Sequence, residues 1–223
     1  MVWILLACSG GGTPTPAPVL AEASTRVTFG TVAELGAHVL EASLRQETTT
    51  GDAAPEVTAS TFRLRWRDED HWSAERTVNG VRADRMVVWD GAGWTSNGEA
   101  RWRKEADAEP LRVQLAYTWD PWEVATELFP DRITYTEAGG EEVEGRRVRA
   151  YTLSLGPAPA KSRRVWEPTA LAGSVWVDEG TAVRLLVDLT GEAVSGRQKR
   201  VIELKLAVHG IGMDPGITPP DAP

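Results

Sequence analysis

The side chains that most often carry out catalysis or bind metals are scattered along this chain of 223 residues. Its histidines, His38, His71 and His209, do not have the spacing of a metal site or of a catalytic triad. Neither Ser9 nor Ser195 lies in the Gly-x-Ser-x-Gly turn that exposes a nucleophilic serine between a strand and a helix. The sequence therefore predicts a protein that is not an enzyme.

Two short motifs contain the residue types that hold phosphates or cations. The run from Gly10 to Gly12 lacks the preceding strand and the following Lys-Ser/Thr of a phosphate-binding loop. The turn from Asp68 to Asp70 carries three carboxylates, which are ligands for hard cations, but such a turn is more often simply solvated. The single cysteine, Cys8, excludes an intrachain disulfide and a cysteine-based metal cluster. We expect no cofactor and no bound metal.

The composition excludes a further class of function. A net charge of -8 at pH 7 does not provide the basic surface that nucleic-acid binding requires. Hydrophobic residues make up 42% of the chain and charged residues 25%, which is ordinary for a folded domain. The length is sufficient for one domain with a substantial core. We therefore expect a single folded domain that does not bind nucleic acid.

Ten tryptophans, against three tyrosines and three phenylalanines, are the unusual feature of the composition. They could fill the core and the strand rims, line a wide apolar cavity, or stack on sugars from the surface. Trp66 and Trp102 alternate with arginines, which favours an inward, apolar placement, whereas Trp176 is predicted to lie on the face opposite its valine neighbours. Nearly every predicted element carries one: Trp66, Trp72, Trp89, Trp94, Trp102, Trp119, Trp122, Trp166 and Trp176.

The first eight residues form a short apolar run that ends in a cysteine. Leu5, Leu6, Ala7 and Cys8 resemble the lipobox of bacterial lipoproteins. In that family the segment before the cysteine is removed and the cysteine is acylated, which implies lipidation at Cys8 and a stable membrane anchor made of several acyl chains. The resemblance implies a signal-like segment over residues 1–8, followed by a Gly/Pro-rich tether over 9–25. It also implies a place in the cell envelope, on the periplasmic side of the outer membrane.

The stretch from Gly173 to Gly212 predicts an antiparallel meander. It contains three runs in which apolar and polar residues alternate, and glycine-containing turns divide them. The alternation gives the meander one apolar face, which something else in the chain must cover. That face carries Val175, Val177, Val183, Leu185, Val187, Leu189, Ile202, Leu204, Leu206 and Val208.

Another meander is predicted between Glu56 and Lys104, with a hairpin turn at Asn79-Gly80. A capping box at Thr31 to Glu34 predicts an amphipathic helix that runs from Thr31 to about Leu44. Two shorter helices are predicted midway along the chain, over 109–117 and 120–129. In the second of these, Asp120 is the expected N-cap and Pro121 takes the first helical position.

The strands are predicted to resume over 132–137, to turn at Gly139-Gly140 and to continue over 146–155. The elements together predict an α+β fold. Its core is a strongly curved antiparallel half-barrel sheet of about 9 to 11 strands, capped by an N-terminal helix and a short mid-chain helical insertion. We expect one domain over residues 26–212 and a disordered tail over 213–223.

The order of these elements is similar to that of the LolA/LolB and LppX/LprG superfamily of envelope lipoproteins. The residues that carry the resemblance are Gly173, Trp176, Asp178 and Arg184, which follow a "G-x-W-x-D…R" hairpin pattern. The resemblance implies a half-barrel whose sheet is capped by helices and holds acyl chains. It also implies an envelope protein as a further partner.

The concave face of such a sheet is larger than three short helices can fill, so it is either packed with bulky side chains or left as an apolar cavity. The leading hypothesis is an envelope lipoprotein that carries or transfers a lipid, or the acyl chain of another lipoprotein, held non-covalently. The alternatives are a structural or scaffolding lipoprotein with a filled core, and carbohydrate binding through exposed tryptophans. The expected cavity lining is Phe62, Leu64, Trp66, Trp102, Val175, Val177, Leu185, Val187, Leu204 and Leu206.

Overall fold

The structure, a computed structural model, describes residues 29–98, 101–118, 120–158 and 165–220. Two runs of strands are separated by two helices, α1 (Glu109–Thr118) and α2 (Pro121–Thr126). The first run consists of β1 (His38–Thr50), β2 (Glu56–Asp68), β3 (His71–Val78), β4 (Val81–Trp89), β5 (Ala92–Asn97) and β6 (Arg103–Glu105). The second consists of β7 (Ile133–Val143), β8 (Arg146–Leu155), β9 (Glu167–Asp178), β10 (Arg184–Ser195) and β11 (Gln198–His209).

All of these strands belong to one antiparallel sheet of 11 strands in the order β6-β5-β4-β3-β2-β1-β11-β10-β9-β8-β7. The first and last strands of the chain, β1 and β11, pair in its centre, where Leu44 lies opposite Leu204. Two meanders are thus joined into a single curved sheet. The predicted α+β fold, with an antiparallel half-barrel and a mid-chain helical insertion, is confirmed.

The position of the helices follows from this strand order. The insertion connects β6 to β7, which are the two edge strands of the sheet. A chain that leaves one edge and re-enters at the other must cross one face of the sheet. Here α2 packs on the central strands β1 and β11, so the insertion covers the apolar face between the two edges.

The start of α2 is fixed by the residues that the sequence predicts. The Asp120 side chain accepts a hydrogen bond from the backbone N–H of Trp122 at 2.9 Å, and Pro121 takes the first helical position. The cap satisfies an amide that has no partner within the helix. At the start of α1, the Asp107 carboxylate accepts from the Glu109 amide at 3.0 Å in the same manner.

Two glycines provide the space in which the insertion sits on the sheet. A Cβ atom added to Gly191 in β10 would lie 2.3 Å from Cζ of Phe129, which follows α2 and is fully buried. A Cβ added to Gly93 in β5 would lie 2.8 Å from Cδ1 of Leu111 in α1. At both positions a side chain from the insertion takes the place of a side chain from the strand.

The predicted N-terminal helix from Thr31 to Leu44 is wrong beyond its first turn. The backbone N–H of Thr31 does donate to the Glu34 carboxylate at 3.1 Å, but only a 3-10 turn, Val32–Leu35, follows. The chain then enters β1, which pairs with β2 on one side and β11 on the other. The spacing of the apolar residues in this segment fits both a helix and a strand. The segment forms a strand because it pairs with a neighbouring strand on each side.

Two smaller expectations also need correction. Gly139-Gly140 is not a turn, because β7 continues through a bulge between Glu137 and Gly139 and turns at Glu144-Gly145 instead. The end of the meander that is predicted between Glu56 and Lys104 is not one strand but two, β5 and β6. The first of them ends before Gly98, whose φ of 58° departs from the extended conformation.

Part of the predicted tail packs on the sheet. Ile217 is only 4% exposed and lies in a small cluster with Val87 and Trp94, on the face of β4 and β5 that points away from the main core. Asp214 pairs with Arg67 of β2 at 2.8 Å. Residues 213–220 therefore cover an apolar patch that the helical insertion cannot reach.

The predicted signal-like segment, its Cys8 and the tether over 9–25 lie outside the described residues. Within the described ranges, no helix combines the length and the apolar composition needed to cross a membrane.

Candidate functional site

A cavity of about 1010 Å³ lies between the first three strands and the helical insertion. Side chains from the chain segment before β1, from α1 and α2, and from β10 and β11 close it, among them Phe29, Leu115, Pro121, Arg184 and Leu206. Its floor is apolar and largely aromatic, and consists of Leu40, Phe62, Leu64, Trp66 and Trp72.

The register of the sheet explains why these floor residues meet. Leu40 of β1 lies opposite Leu64 of β2, and Trp66 of β2 lies opposite Trp72 of β3. Residues opposite one another in an antiparallel pair point to the same face, so the alternation in each strand adds up to one apolar surface. Alternation in the sequence therefore predicts which residues belong to this surface. Only the pairing of the strands determines that these residues lie next to one another.

The structure brings together four of the ten residues that the sequence predicts as the lining, namely Phe62, Leu64, Trp66 and Leu206. Trp102 instead packs against the cluster around Trp94 on the opposite face of the sheet, beneath the guanidinium of Arg85 at 4.4 Å from its ring centroid. The other five lie in the closely packed core rather than on the cavity wall: Val175, Val177, Leu185, Val187 and Leu204.

The concave face is thus filled over one half and open over the other. Over the C-terminal strands the insertion packs directly on the sheet, with the ring of Phe129 against Gly191 and with Leu185 and Leu204 fully buried. Over β2, β3 and the start of β1 the insertion stands away from the sheet, and the cavity lies between them. The face is divided in this way because α2 and the segment after it occupy only one half of it. The sequence pattern does not predict where on the sheet they lie.

Arg184 projects into the cavity from a bulge in β10, between the paired positions Arg184 and Leu186. Its guanidinium lies over the rings of Phe29 and Trp122, at 4.6 and 4.9 Å from their centroids, and donates to Asp120 at 3.1 Å. Burial lowers the pKa of Arg184 and the charge of Asp120 opposes that effect, so the side chain stays a cation held in place. The carboxylate that caps α2 therefore also fixes a cation in the cavity wall.

A second arginine ties α1 to the turn between β2 and β3. Arg112 donates to the Asp70 carboxylate at 2.7 Å, to the backbone carbonyl of Glu69 at 3.2 Å and to Glu109 at 3.2 Å. Glu69, Glu109 and Arg112 all line the cavity, so this group of contacts forms part of its rim. The acidic turn that was expected to be simply solvated serves here to fasten the insertion.

His71, next to the same turn, lies between two carboxylates. Its Nδ1 is 2.8 Å from Asp68 and its Nε2 is 2.9 Å from Asp90. The hydrogen bonds with Asp90 and Asp68 raise the pKa of His71 above its ordinary value. Asp68 and Asp70 of the turn thus have side-chain partners, and no group of acidic, histidine or cysteine residues in the described ranges is arranged to hold a metal ion.

Two buried nitrogens near the cavity have no hydrogen-bond partner within the described part of the chain, Trp72 Nε1 and His38 Nε2. His38 is 0% exposed, and its Nδ1 lies 2.7 Å from the carbonyl oxygen of Gly36. A carbonyl only accepts, so Nδ1 carries the proton and Nε2 of the neutral ring is an acceptor. Burial lowers the pKa of His38, which keeps the ring neutral.

The burial of His38 predicts a loss of stability on mild acidification. Because its folded-state pKa lies below the unfolded value of 6.5, the unfolded chain binds the proton more readily, and the free energy of unfolding falls as the pH drops below that value. We expect urea unfolding curves to show this slope in the wild type and a smaller slope in His38→Leu.

His71 is the matched control for this pH dependence. Its pKa is raised in the folded state, so its contribution is present at low pH and is lost as the pH rises through the folded-state pKa. His71→Gln is therefore expected to change the pH profile in the opposite sense. An unchanged slope in His38→Leu would contradict the assignment of the acid sensitivity to His38.

The described tryptophans outside the cavity do not form open platforms. Trp94 and Trp122 are buried, with at most 8% of their surface exposed. Cationic side chains cover several of the half-exposed rings, with Arg200 at 4.5 Å from the centroid of Trp166 and Arg67 at 5.8 Å from that of Trp89. Sugar stacking would require these contacts to be replaced.

The hairpin motif of the sequence resemblance has a mainly structural role. Gly173 allows close approach of β10, since an added Cβ would lie 2.2 Å from the carbonyl oxygen of Asp188. The indole of Trp176 donates to Glu141 on the outer face. Asp178 accepts hydrogen bonds from both Arg146 and Thr181, and these hold its pKa far below the usual range. Only Arg184 of the four motif residues reaches the cavity.

No protein-family model matches the sequence, and no curated protein is similar to it. Similar solved structures include a DUF1329 family protein from Desulfovibrio piger, at 14% identity and a TM-score of 0.28 over 79% of this chain and 88% of that one. A LolA superfamily protein from Nitrosomonas europaea is similar at 7% identity and a TM-score of 0.25, over 78% and 86% of the two chains.

The lipoprotein LppX from Mycobacterium tuberculosis is similar at 15% identity and a TM-score of 0.27, over 77% of this chain and 87% of that one. The resemblance found in the sequence extends to solved structures of the types that it named. At these TM-scores the similarity carries no argument about function. The function proposed below is drawn from the cavity of this chain.

Proposed function

We propose that this protein is a cell-envelope lipoprotein that binds the apolar chain of a lipid, or the acyl group of another lipoprotein, non-covalently in the cavity. The observation that supports the proposal is the volume of about 1010 Å³ over an apolar floor, which the helical insertion does not fill. This volume is at the upper end of the range of about 300–1,000 Å³ found for small-molecule pockets.

The chemistry of the lining favours burial of an apolar chain. Each methylene transferred from water onto such a floor contributes about 0.8 kcal/mol, so a chain of ordinary acyl length gains enough to offset the loss of its freedom. The lining side chains include no serine, cysteine or histidine among the described residues, and the proposal therefore involves no covalent step.

Lipidation at Cys8 and the tether over 9–25 complete the proposal. An acylated Cys8 would hold the protein at the membrane surface, and the Gly/Pro-rich tether would let the cavity reach lipid or a partner protein. The proposed role is that of a carrier or transfer protein in the bacterial envelope, on the periplasmic side of the outer membrane. Native mass spectrometry of the purified protein tests for bound lipid directly.

Filling the cavity is expected to abolish ligand binding without unfolding the protein. In Leu64→Trp the larger side chain projects into the open volume, so we expect affinity for a fluorescent fatty acid to fall at least about tenfold while stability changes by less than about 1 kcal/mol. Fluorescence titration and urea unfolding measure the two quantities.

The same substitution at Leu185 is the matched control. Leu185 is 0% exposed in the filled half of the concave face, so Leu185→Trp is expected to lose about 1–3 kcal/mol by overpacking. Equal losses of stability in both variants would favour the alternative of a structural lipoprotein with a filled core. Wild-type protein that neither carries lipid nor binds the fatty acid would overturn the proposed function.

A further inference from the structure

Arg184 carries hydrogen-bond donors into the cavity that the described part of the chain does not use. A guanidinium has several N–H donors in one plane, and the described residues give Arg184 one hydrogen bond, from Nη2 to Asp120 at 3.1 Å. Its Nε and Nη1 have no partner there, yet neither atom is cut off from solvent. Because Arg184 lines the cavity and its side chain is 15% exposed, these donors face the open volume.

The surrounding residues hold this cation in a fixed orientation. The guanidinium lies over the rings of Phe29 and Trp122, at 4.6 and 4.9 Å from their centroids. Its partner Asp120 is itself tied to the start of α2, since its Oδ1 accepts from the backbone N–H of Trp122. A planar guanidinium whose donors are oriented in advance is suited to the oxygens of a carboxylate or a phosphate.

Two other cations of the cavity lining are less suited to this role. Arg112 already donates to both Asp70 and Glu109. Arg63 pairs with Glu41 at 3.1 Å, and both side chains are 49% exposed, so water weakens any interaction that they make. An anion in the cavity therefore gains more from the largely buried guanidinium, where the surroundings are less polar.

The carboxylates near this guanidinium do not occupy it fully. Asp120 and Glu123 are lining residues whose charges act on Arg184. Asp120 reaches a single nitrogen with one oxygen, because its other oxygen caps α2. Glu123 is exposed, so the solvent screens its charge. Arg184 is thus only partly neutralised by its own chain.

A ligand that fills the cavity changes the surroundings of these donors. An apolar chain that lies over Leu64 and Trp66 removes water from the volume into which the guanidinium faces. A cation that loses water without gaining an acceptor raises the free energy of the complex. An anionic oxygen on the ligand supplies both the acceptor and the opposite charge, and such hydrogen bonds are stronger than those between neutral groups.

We propose that Arg184 binds the anionic end group of the ligand, a carboxylate or a phosphate, so that the cavity selects acidic lipids over neutral ones of the same chain length. This inference rests on the proposed function, because it names the class of ligand that the same cavity takes. The apolar floor contributes binding energy along the chain, and Arg184 determines where the end group lies. Fatty acids and phospholipids share this anionic oxygen chemistry.

The experiment compares dodecanoate, dodecyl phosphate and dodecanol as competitors of a neutral fluorescent fatty alcohol, at about pH 8, where the carboxyl group is ionised. In the wild type we expect at least one of the two anions to displace the probe at about tenfold lower concentration than dodecanol does. In Arg184→Gln the three competitors are expected to become equal within about twofold. Which of the two anions is preferred distinguishes a fatty acid from a phospholipid as the source.

Asp120→Asn tests the same site through a gain of affinity. Asparagine caps a helix as well as aspartate does, but it removes the negative charge that competes for the guanidinium. The preference for the anion over dodecanol is therefore expected to rise at least about threefold. An unchanged preference in this variant would overturn the inference, even if Arg184→Gln failed to fold.

Arg200→Gln is the matched control. The Arg200 guanidinium also lies over an indole, at 4.5 Å from the centroid of Trp166, but it does not line the cavity. This variant is expected to keep the preference for the anion. Equal displacement by all three competitors in the wild type, or a preference that persists in Arg184→Gln, would overturn the inference while leaving the proposed function in place. Failure of the probe and of every competitor to bind the wild type would instead overturn the proposed function.

Discussion

Asp178→Ala is expected to lower the free energy of unfolding by about 2–3 kcal/mol. The carboxylate accepts two hydrogen bonds from Arg146, at 2.7 and 2.9 Å, and two from the amide and hydroxyl of Thr181, both at 2.7 Å. Removing one partner of a buried ion pair typically costs about 3–5 kcal/mol, and solvent around Arg146, whose side chain is 30% exposed, reduces that cost. Urea unfolding of the two proteins measures the difference.

The neighbouring residue provides the control. Glu179 pairs with Arg149 at 3.2 Å, and the two side chains are 37% and 55% exposed. Because exposed pairs contribute at most about 1 kcal/mol, Glu179→Ala is expected to be close to neutral. If Asp178→Ala were as mild as Glu179→Ala, the fastening of the β9–β10 turn to β8 would not be a major source of stability.

Acid is expected to lower the stability of the protein in part by protonating the carboxylate of Asp178. The hydrogen bonds from Arg146 lower the pKa of Asp178 in the folded protein, so its contribution is complete above the unfolded value of 3.8. It is lost as the pH falls from that value toward the folded-state pKa, since the unfolded chain then binds the proton first. The acid-induced loss of stability is therefore expected to be shallower in Asp178→Ala than in the wild type.

Gly191→Ala is expected to destabilise the protein by about 2–3 kcal/mol through a clash with Phe129. The added Cβ would lie 2.3 Å from Cζ and 2.8 Å from Cε2 of the ring, which is fully buried and cannot swing into solvent. Either the ring and the chain after α2 move away from the sheet, or β10 shifts. Calorimetric or urea unfolding measures the loss.

A rescue experiment separates the clash from a general effect on the strand. In the Phe129→Leu background the smaller side chain leaves room, so Gly191→Ala is expected to cost less than it does alone, with a coupling of at least about 1 kcal/mol. Gly140→Ala is the matched control, because the nearest atom to its added Cβ, the carbonyl oxygen of Val148, is 3.4 Å away. Additive losses in the double variant would contradict the proposed contact.

The two halves of the concave face explain how one sheet combines stability with an open volume. Phe129 and Gly191 fix the insertion on the C-terminal strands, where Leu185 and Leu204 form a filled core. Over β1 to β3 the insertion is held at its rim by Arg112, through Asp70 and the carbonyl of Glu69. The filled half can therefore supply stability while the other half keeps a volume of about 1010 Å³.

Much of the fold could be predicted from local sequence patterns. Turns such as Asn79-Gly80, alternation in β2 and in β9 to β11, and the cap at Asp120 each depend on residues close together in the chain. These local rules also indicate which residues of each strand face inward. Phe62, Leu64, Trp66 and Leu206 were therefore predicted to face inward without knowledge of the fold, and all four line the cavity.

Local patterns do not predict the features of the fold that depend on which segments of the chain lie side by side. The apolar residues of 38–44 suit a helix as well as a strand, and only pairing with β2 and β11 determines the strand. Trp102 alternates with arginines as Trp66 does, yet it packs on the opposite face, where Ile217 from the tail helps to form a second apolar cluster. Arg184 enters the cavity because a bulge in β10 shifts the alternation.

The sequence by itself thus determined an antiparallel half-barrel with one apolar face and a helical insertion, because alternation, turns and caps are local. The tertiary structure decided that this face is half filled and half open. That outcome depends on where Phe129, Arg112 and Arg184 meet residues distant in the chain. The tertiary structure also left Trp72 Nε1 without a hydrogen-bond partner in the described part of the chain.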